Sequence, residues 1–188
     1  MTRVLASLFA TAALLTTSHA QAESFYTPDI MGGGPNFIQG SSPIPKATVY
    51  FNGNYAPGTI VVNTAERRLY LVLPNGQALR YGIGVGRDGF RWGGVHKITA
   101  KKEWPDWTPP AEMLARRHDI PRHMAGGINN PLGARALYLG STLYRIHGSN
   151  EPETIGQAVS SGCFRMTNDD VTDLYNRVSV GATVVVLN

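Results

Sequence analysis

From Thr59 onward the chain reads as short apolar runs cut by turn residues. Thr59–Asn63, Arg68–Leu73 and Ala78–Gly84 are rich in β-branched, aromatic and aliphatic residues, which predicts strands. Pro74-Asn75-Gly76 supplies a fixed φ and residues tolerant of positive φ, so the second and third runs are expected to form a hairpin. Val95–Ala100 predicts another strand, Leu137–Leu139 and Leu143–Ile146 a second hairpin around Gly140-Ser141, and Thr183–Leu187 a closing strand. Helical periodicity is clearest after Met166, where Val171, Leu174, Tyr175 and Val178 recur at i, i+3, i+4 and i+7. Thr167 and Asp170 open that helix in the manner of a capping box. Asp169 and Asp170 complement its dipole, so both carboxylates read as structural. Pro109 and Pro110 suit the first turn of a short helix to about Arg117. The aromatic stretch Trp104–Pro110 predicts an irregular loop that either lines a cleft or plugs the end of a barrel. Together the pattern predicts a mainly β fold, a β-rich mixed sheet or flattened barrel with a few short helices.

The first third of the chain is different. Gly, Pro, Asn and Ser dominate from Gln21 to about Pro57 without periodicity, which predicts a linker or a loosely docked arm. Ahead of it, Arg3, the apolar run Val4–Leu15 and Ser18-His19-Ala20 have the three-part layout of a secretory signal peptide, with cleavage expected after Ala20. The apolar run is shorter than the roughly 20 residues a membrane span requires. The organisation read from the sequence is therefore a signal peptide at 1–20, an arm at 21–57 and one globular domain at 58–188, with no membrane span after signal removal.

Composition narrows the chemistry. The 188 residues are 43% apolar and 16% charged with a formal charge of +4, values of a globular domain with a mild preference for anionic partners. No dense Lys/Arg block accompanies that charge, which argues against nucleic acid. The Gly-rich segment 84–94 lacks the Gly-Lys-Ser/Thr ending of a phosphate-binding loop and reads as a connection beside the site. No His-x-x-x-His or Cys-x-x-Cys spacing exists, so neither a metal nor another cofactor is expected.

What remains is one cysteine, Cys163, with His147 sixteen residues before it. A thiol nucleophile needs an imidazole to take its proton and return it to a leaving group. Ser160, Ser161 and Gly162 crowd the cysteine with small residues, letting the backbone approach a substrate so that its amides face an oxyanion. A single thiol in an exported protein cannot form an internal disulfide and is exposed to oxidation, a cost that a merely packed residue would avoid. With His147 in reach, ion pairing and amide dipoles are expected to hold the thiol below its free value of about 8.5. Arg165, two residues on, reads either as an ion-pair member, with Asp169, or as a fork for a substrate carboxylate.

The segments Arg-Ile-His-Gly-Ser-Asn at 145–150 and Ser-Ser-Gly-Cys-Phe-Arg-Met at 160–166 resemble the signature of the YkuD-type (ErfK/YbiS-like) L,D-transpeptidases, bacterial cell-wall cross-linking enzymes. Trp-Pro-Asp-Trp-Thr-Pro-Pro at 104–110 and Asn-Pro-Leu-Gly-Ala-Arg-Ala at 130–136 are similar to that family too, and the likeness runs from about Thr59 to Leu187. One departure stands out: Ser161 occupies a position where many members carry His. The resemblance implies a catalytic domain at 58–188 with Cys163 as nucleophile, His147 as base and acid, the Gly148 carbonyl orienting its ring, and Arg165, Ser160, Ser161 and Gly162 at the substrate. It implies peptidoglycan tetrapeptide stems as donors, with an amine of a neighbouring stem or of an outer-membrane protein as acceptor, in the periplasm or at the cell wall. An L,D-carboxypeptidase, with water as acceptor, and a non-catalytic wall-binding module remain the alternatives.

Overall fold

The structure is a computed structural model that describes residues 42–188. The signal-peptide reading of 1–20 and most of the 21–57 arm fall outside the described residues. Eleven strands and two α-helices are present among the described residues: β1 (Ala47–Tyr50), β2 (Ile60–Asn63), β3 (Arg68–Leu73), β4 (Gln77–Gly82), β5 (Val85–Gly86), β6 (Gly94–Glu103), α1 (Ala111–Arg116), β7 (Arg135–Leu139), β8 (Arg145–His147), β9 (Ala158–Ser160), β10 (Phe164–Arg165), α2 (Asn168–Arg177) and β11 (Thr183–Leu187). Nine strands form one mixed sheet in the order β1-β4-β3-β2-β11-β6-β7-β8-β10, and β5 pairs with β9 separately.

The hairpin of β3 and β4 forms as the turn chemistry dictates, with Asn75 and Gly76 at φ of 61° and 67°. β2 opens with Ile60-Val61-Val62, buried at every one of those positions. Such a continuous apolar run suits a strand covered on both faces and paired in parallel, and β11 lies parallel to it. The sheet then curls. Gly84, just past β4, exchanges two backbone hydrogen bonds of 2.9 Å with Arg165 of β10, which stands at the far end of the strand order. That bridge brings β10, at one end, round to the strand next to the other end, curling the sheet into a flattened barrel. Tyr81, Ile83, Leu137, Ile146, Phe164 and Met166 are among the side chains that fill it.

α2 closes one face. Thr167 Oγ1 accepts a hydrogen bond from Asp170 N at 3.2 Å as the N-cap, and Val171, Leu174 and Val178 are buried against the core. At its other end Lys101 Nζ donates to the carbonyls of Tyr175 and Val178, each at 2.6 Å, a cation meeting the orphan acceptors of a helix C-terminus.

Two local differences from the sequence reading concern pairing. The stretch expected to be arm contributes β1, an edge strand on β4 whose Phe51 neighbour packs on Tyr70 with ring centroids 5.1 Å apart. No strand is predicted from the sequence at 151–159, which holds one 3-10 turn at Pro152–Thr154 and then β9, paired in parallel with β5. The aromatic loop does not plug the barrel: Trp104 is 42% exposed and neither it nor Trp107 enters the core. Asn130, fully enclosed, donates through Nδ2 to the carbonyls of Pro105, Met124 and Ala125. One amide side chain thus ties the stretch at 104–110 to that at 130–136.

Candidate active site

β8 and β10 are parallel neighbours with Ile146 opposite Phe164 and His147 opposite Arg165. Side chains alternate along a strand. Ile146 and Phe164 point into the core, at 0% and 1% exposure. Arg145, His147, Cys163 and Arg165 therefore share the opposite face. This is how a separation of sixteen residues brings the imidazole and the thiol onto one small surface.

His147 is 5% exposed and its Nδ1 is 2.5 Å from the Gly148 carbonyl oxygen. A carbonyl only accepts, so Nδ1 carries the proton and Nε2 keeps a lone pair. Burial, with help from the Arg165 and Arg145 charges and against the Gly148 bond, lowers the imidazole to about 3. The ring is thus neutral at physiological pH.

Cys163 is partly accessible, and its Sγ approaches the Leu143 carbonyl at 3.9 Å. Among the described residues no hydrogen bond joins it to His147. Burial pushes the thiol up, while Arg145 and Arg165 pull the other way. The expected lowering of the thiol is therefore not found: a neutral imidazole supplies no ion pair, and desolvation of the thiolate outweighs the two guanidiniums.

The loop that carries the thiol is fastened by its small residues. Ser160, 5% exposed, donates from Oγ to the Cys163 carbonyl at 2.6 Å and accepts from the Gly162 amide at 3.1 Å. Gly162 sits at φ 108°, and a Cβ there would lie 2.4 Å from the Tyr144 ring, so glycine is required twice over. Ser161 makes no hydrogen bond among the described residues. The amides of Ser161 and Cys163 donate to no protein acceptor among the described residues.

Arg165 pairs with Glu151, Nη1 to Oε2 at 2.8 Å, rather than with Asp169, the partner expected from sequence. Asp169 and Asp170 lie in the first turn of α2, away from the site's hydrogen bonds. Arg145 was not singled out from the sequence, although its spacing of two from His147 on a strand was the available signal. Its Nε is buried without a partner. His96 packs edge-on against Trp92, and His123 lies 3.9 Å from Asp106, so neither joins the site.

Comparison with known proteins agrees with this arrangement. The sequence model of the L,D-transpeptidase catalytic domain, YkuD, matches residues 57–186, more than half of the chain. The chain is 38% identical over 138 residues to the Probable L,D-transpeptidase ErfK/SrfK of Escherichia coli, covering 69% of this chain and 44% of that protein. It is 42% identical over 135 residues to the Probable L,D-transpeptidase YbiS of the same organism, covering 66% and 43%. The chain thus spans under half the length of these curated relatives. Among solved structures, a Brucella melitensis protein described as a probable carnitine operon oxidoreductase is 47% identical, with a TM-score of 0.52 over 78% of this chain and 96% of that one. An L,D-transpeptidase of Mycobacterium smegmatis shares the fold, with a TM-score of 0.56 at 16% identity over 69% and 58% of the two chains. On the span of the match and the identity to these relatives, the chain belongs to the YkuD family of L,D-transpeptidase catalytic domains.

Proposed function

We propose that the protein is an exported, cysteine-dependent peptidoglycan L,D-transpeptidase whose catalytic domain begins near residue 58. The observation that carries this reading is the shared face of β8 and β10, which presents both the Cys163 thiol and His147, the latter held by Gly148 so that Nε2 keeps its lone pair. Export rests on the Arg3, Val4–Leu15 and Ala20 layout.

The chemistry starts from a neutral pair. Rotation of Cys163 χ1 between staggered wells carries Sγ from the Leu143 carbonyl toward His147 Nε2; such bonds often tighten only when substrate binds. As Sγ attacks the carbonyl at the L-centre of diaminopimelate in a tetrapeptide stem, the thiol proton passes to Nε2, the C–S bond forms and the carbonyl π pair moves to oxygen. The Cys163 amide, with no protein acceptor, is the donor suited to that oxyanion. Collapse breaks the C–N bond, and the departing D-Ala amine takes the proton from Nε2, leaving a thioester. An acceptor amine then attacks the thioester, gives its proton to His147, and releases Cys163 as the thiol.

The test is incubation with purified disaccharide-tetrapeptide followed by mass spectrometry. Loss of D-Ala with appearance of a cross-linked dimer is expected. Tripeptide alone at every acceptor concentration would make the enzyme a carboxypeptidase, and unchanged tetrapeptide from folded protein would favour a wall-binding module. The acceptor amine belongs to a second stem or to an outer-membrane protein, and supplying each in turn separates these.

Arg165 is assigned to the substrate carboxylate. Its guanidinium is one-fifth exposed and Glu151 holds one edge of it, leaving the fork open to a second anion. Arg165→Ala is expected to lower kcat/KM for tetrapeptide stems roughly ten- to hundred-fold, the worth of a hydrogen bond to a charged group, and Arg165→Lys by less. Activity of both variants equal to wild type would leave Arg165 as an ion-pair partner of Glu151 only.

A further inference from the structure

Trp92 lies in the Gly-rich connection between β5 and β6, outside every motif that carries the family likeness. Its indole Nε1 donates to the Gly162 carbonyl at 2.7 Å. The ring is held on three sides: Tyr144 stacks on it with centroids 4.4 Å apart and planes 8° from parallel, Phe164 lies at 5.2 Å, and His96 meets it edge-on at 5.1 Å. The same Tyr144 ring fills the place of a Cβ on Gly162. The donor therefore cannot drift, and neither can the residue it grips.

A peptide unit is planar and trans, so its C=O and N–H point in opposite directions. The Gly162 carbonyl and the Cys163 amide belong to one such unit. Holding that carbonyl on Trp92 aims the Cys163 N–H the other way, and this N–H donates to no protein acceptor among the described residues. Two neighbouring polar groups of the loop are tied off: the Gly162 amide and the Cys163 carbonyl both bond to Ser160 Oγ. A glycine at φ 108° places little steric restraint on its own peptide unit. Without the indole donor the 162–163 unit is free to turn, presenting a carbonyl oxygen where the oxyanion forms.

We propose that Trp92 is a positioning residue for acyl transfer, holding the Gly162 carbonyl so that the Cys163 amide faces the developing oxyanion. The proposal rests on the acyl-transfer reading and adds to it a residue outside the motif. It separates two reactions of the same thiol. Alkylation by iodoacetamide forms a C–S bond and expels iodide, with no oxyanion. Acylation by imipenem forms a C–S bond, moves the β-lactam carbonyl pair onto oxygen and then breaks the C–N bond, the nitrogen taking the proton from His147.

The experiment compares both rates at Cys163 in the full chain, for wild type and for Trp92→Phe, which keeps the stacking and removes the donor. The first-order acylation constant is expected to fall roughly ten- to hundred-fold, somewhat less than outright loss of an oxyanion donor, while alkylation stays within about two-fold. Incorporating 3-benzothienylalanine at position 92 preserves the ring shape without the N–H, so it gives the same split even if the smaller Phe loosens the packing. Parallel falls in both rates with the isosteric ring, or no change in either, would overturn the role of Trp92 while leaving the acyl-transfer reading intact. A wild type that alkylates and takes no acyl group would overturn both.

Discussion

Cys163→Ala is expected to leave a folded protein with no covalent chemistry: on the proposed mechanism, transfer from tetrapeptide stems falls by roughly four orders of magnitude or more, the usual effect of removing a catalytic nucleophile. The fold survives because the thiol faces away from the barrel. Its neighbours in the pairing, Ile146 and Phe164, supply the buried contacts on the other side. Truncating the partly accessible Cys163 therefore opens no core cavity, unlike truncation of either neighbour, which would cost about 2–5 kcal/mol. Product analysis beside a thermal melt separates the two effects. A variant that still cross-links would place the nucleophile elsewhere, and one that fails to fold would make Cys163 a packing residue.

His147→Ala carries the second large effect, a fall of roughly 10²–10⁴-fold in acylation, the usual worth of general acid–base catalysis. The pH dependence of wild type follows from the same residue. The proposed mechanism needs the neutral imidazole, and burial lowers His147 to about 3. Its base form is thus fully present above that value and is lost only as pH falls through it. Because burial also raises the thiol above its ordinary value, neither group changes charge near neutrality. A kcat/KM profile flat from about pH 5 to about pH 8 is expected, measured by acylation rates in constant-ionic-strength buffers. An acid limb near the ordinary imidazole value of about 6.5 would show that His147 is not desolvated in the working enzyme. A thiol titrating below neutrality, seen as thiolate absorbance lost in Cys163→Ala, would point to an ion pair instead.

Where sequence and structure agree, the cause is local. β3 spans the residues its apolar run predicted, and Thr183–Leu187 forms β11 at the predicted bounds. Thr167 caps α2 because a hydroxyl before an amphipathic run meets an orphan amide wherever the helix later packs. The placement of Cys163 and His147 on one face of the candidate site was legible for a similar reason: both sit in short motifs, and strand alternation does the rest. What was illegible depends on distant partners. β9 is three residues whose mate, β5, is two residues over seventy positions earlier, too little chain to show a period. Arg165 found Glu151 instead of Asp169 because the 3-10 turn at Pro152–Thr154 returns the chain past β10. The grip of Trp92 on Gly162 joins residues 70 positions apart and leaves no trace in either segment. The direction of the thiol shift is a balance between burial and two guanidiniums, and a motif shows the charges without showing the burial.

The most direct measurement is the intact mass of wild type incubated with a tetrapeptide donor and no acceptor amine. The acyl-enzyme mechanism predicts one added acyl group, equal to the stem less its terminal D-Ala, mapped by peptide analysis to Cys163 and discharged into a cross-linked dimer when acceptor stems are supplied. Folded protein that binds the donor yet remains at its own mass, or that carries the acyl group on any other residue, would contradict it.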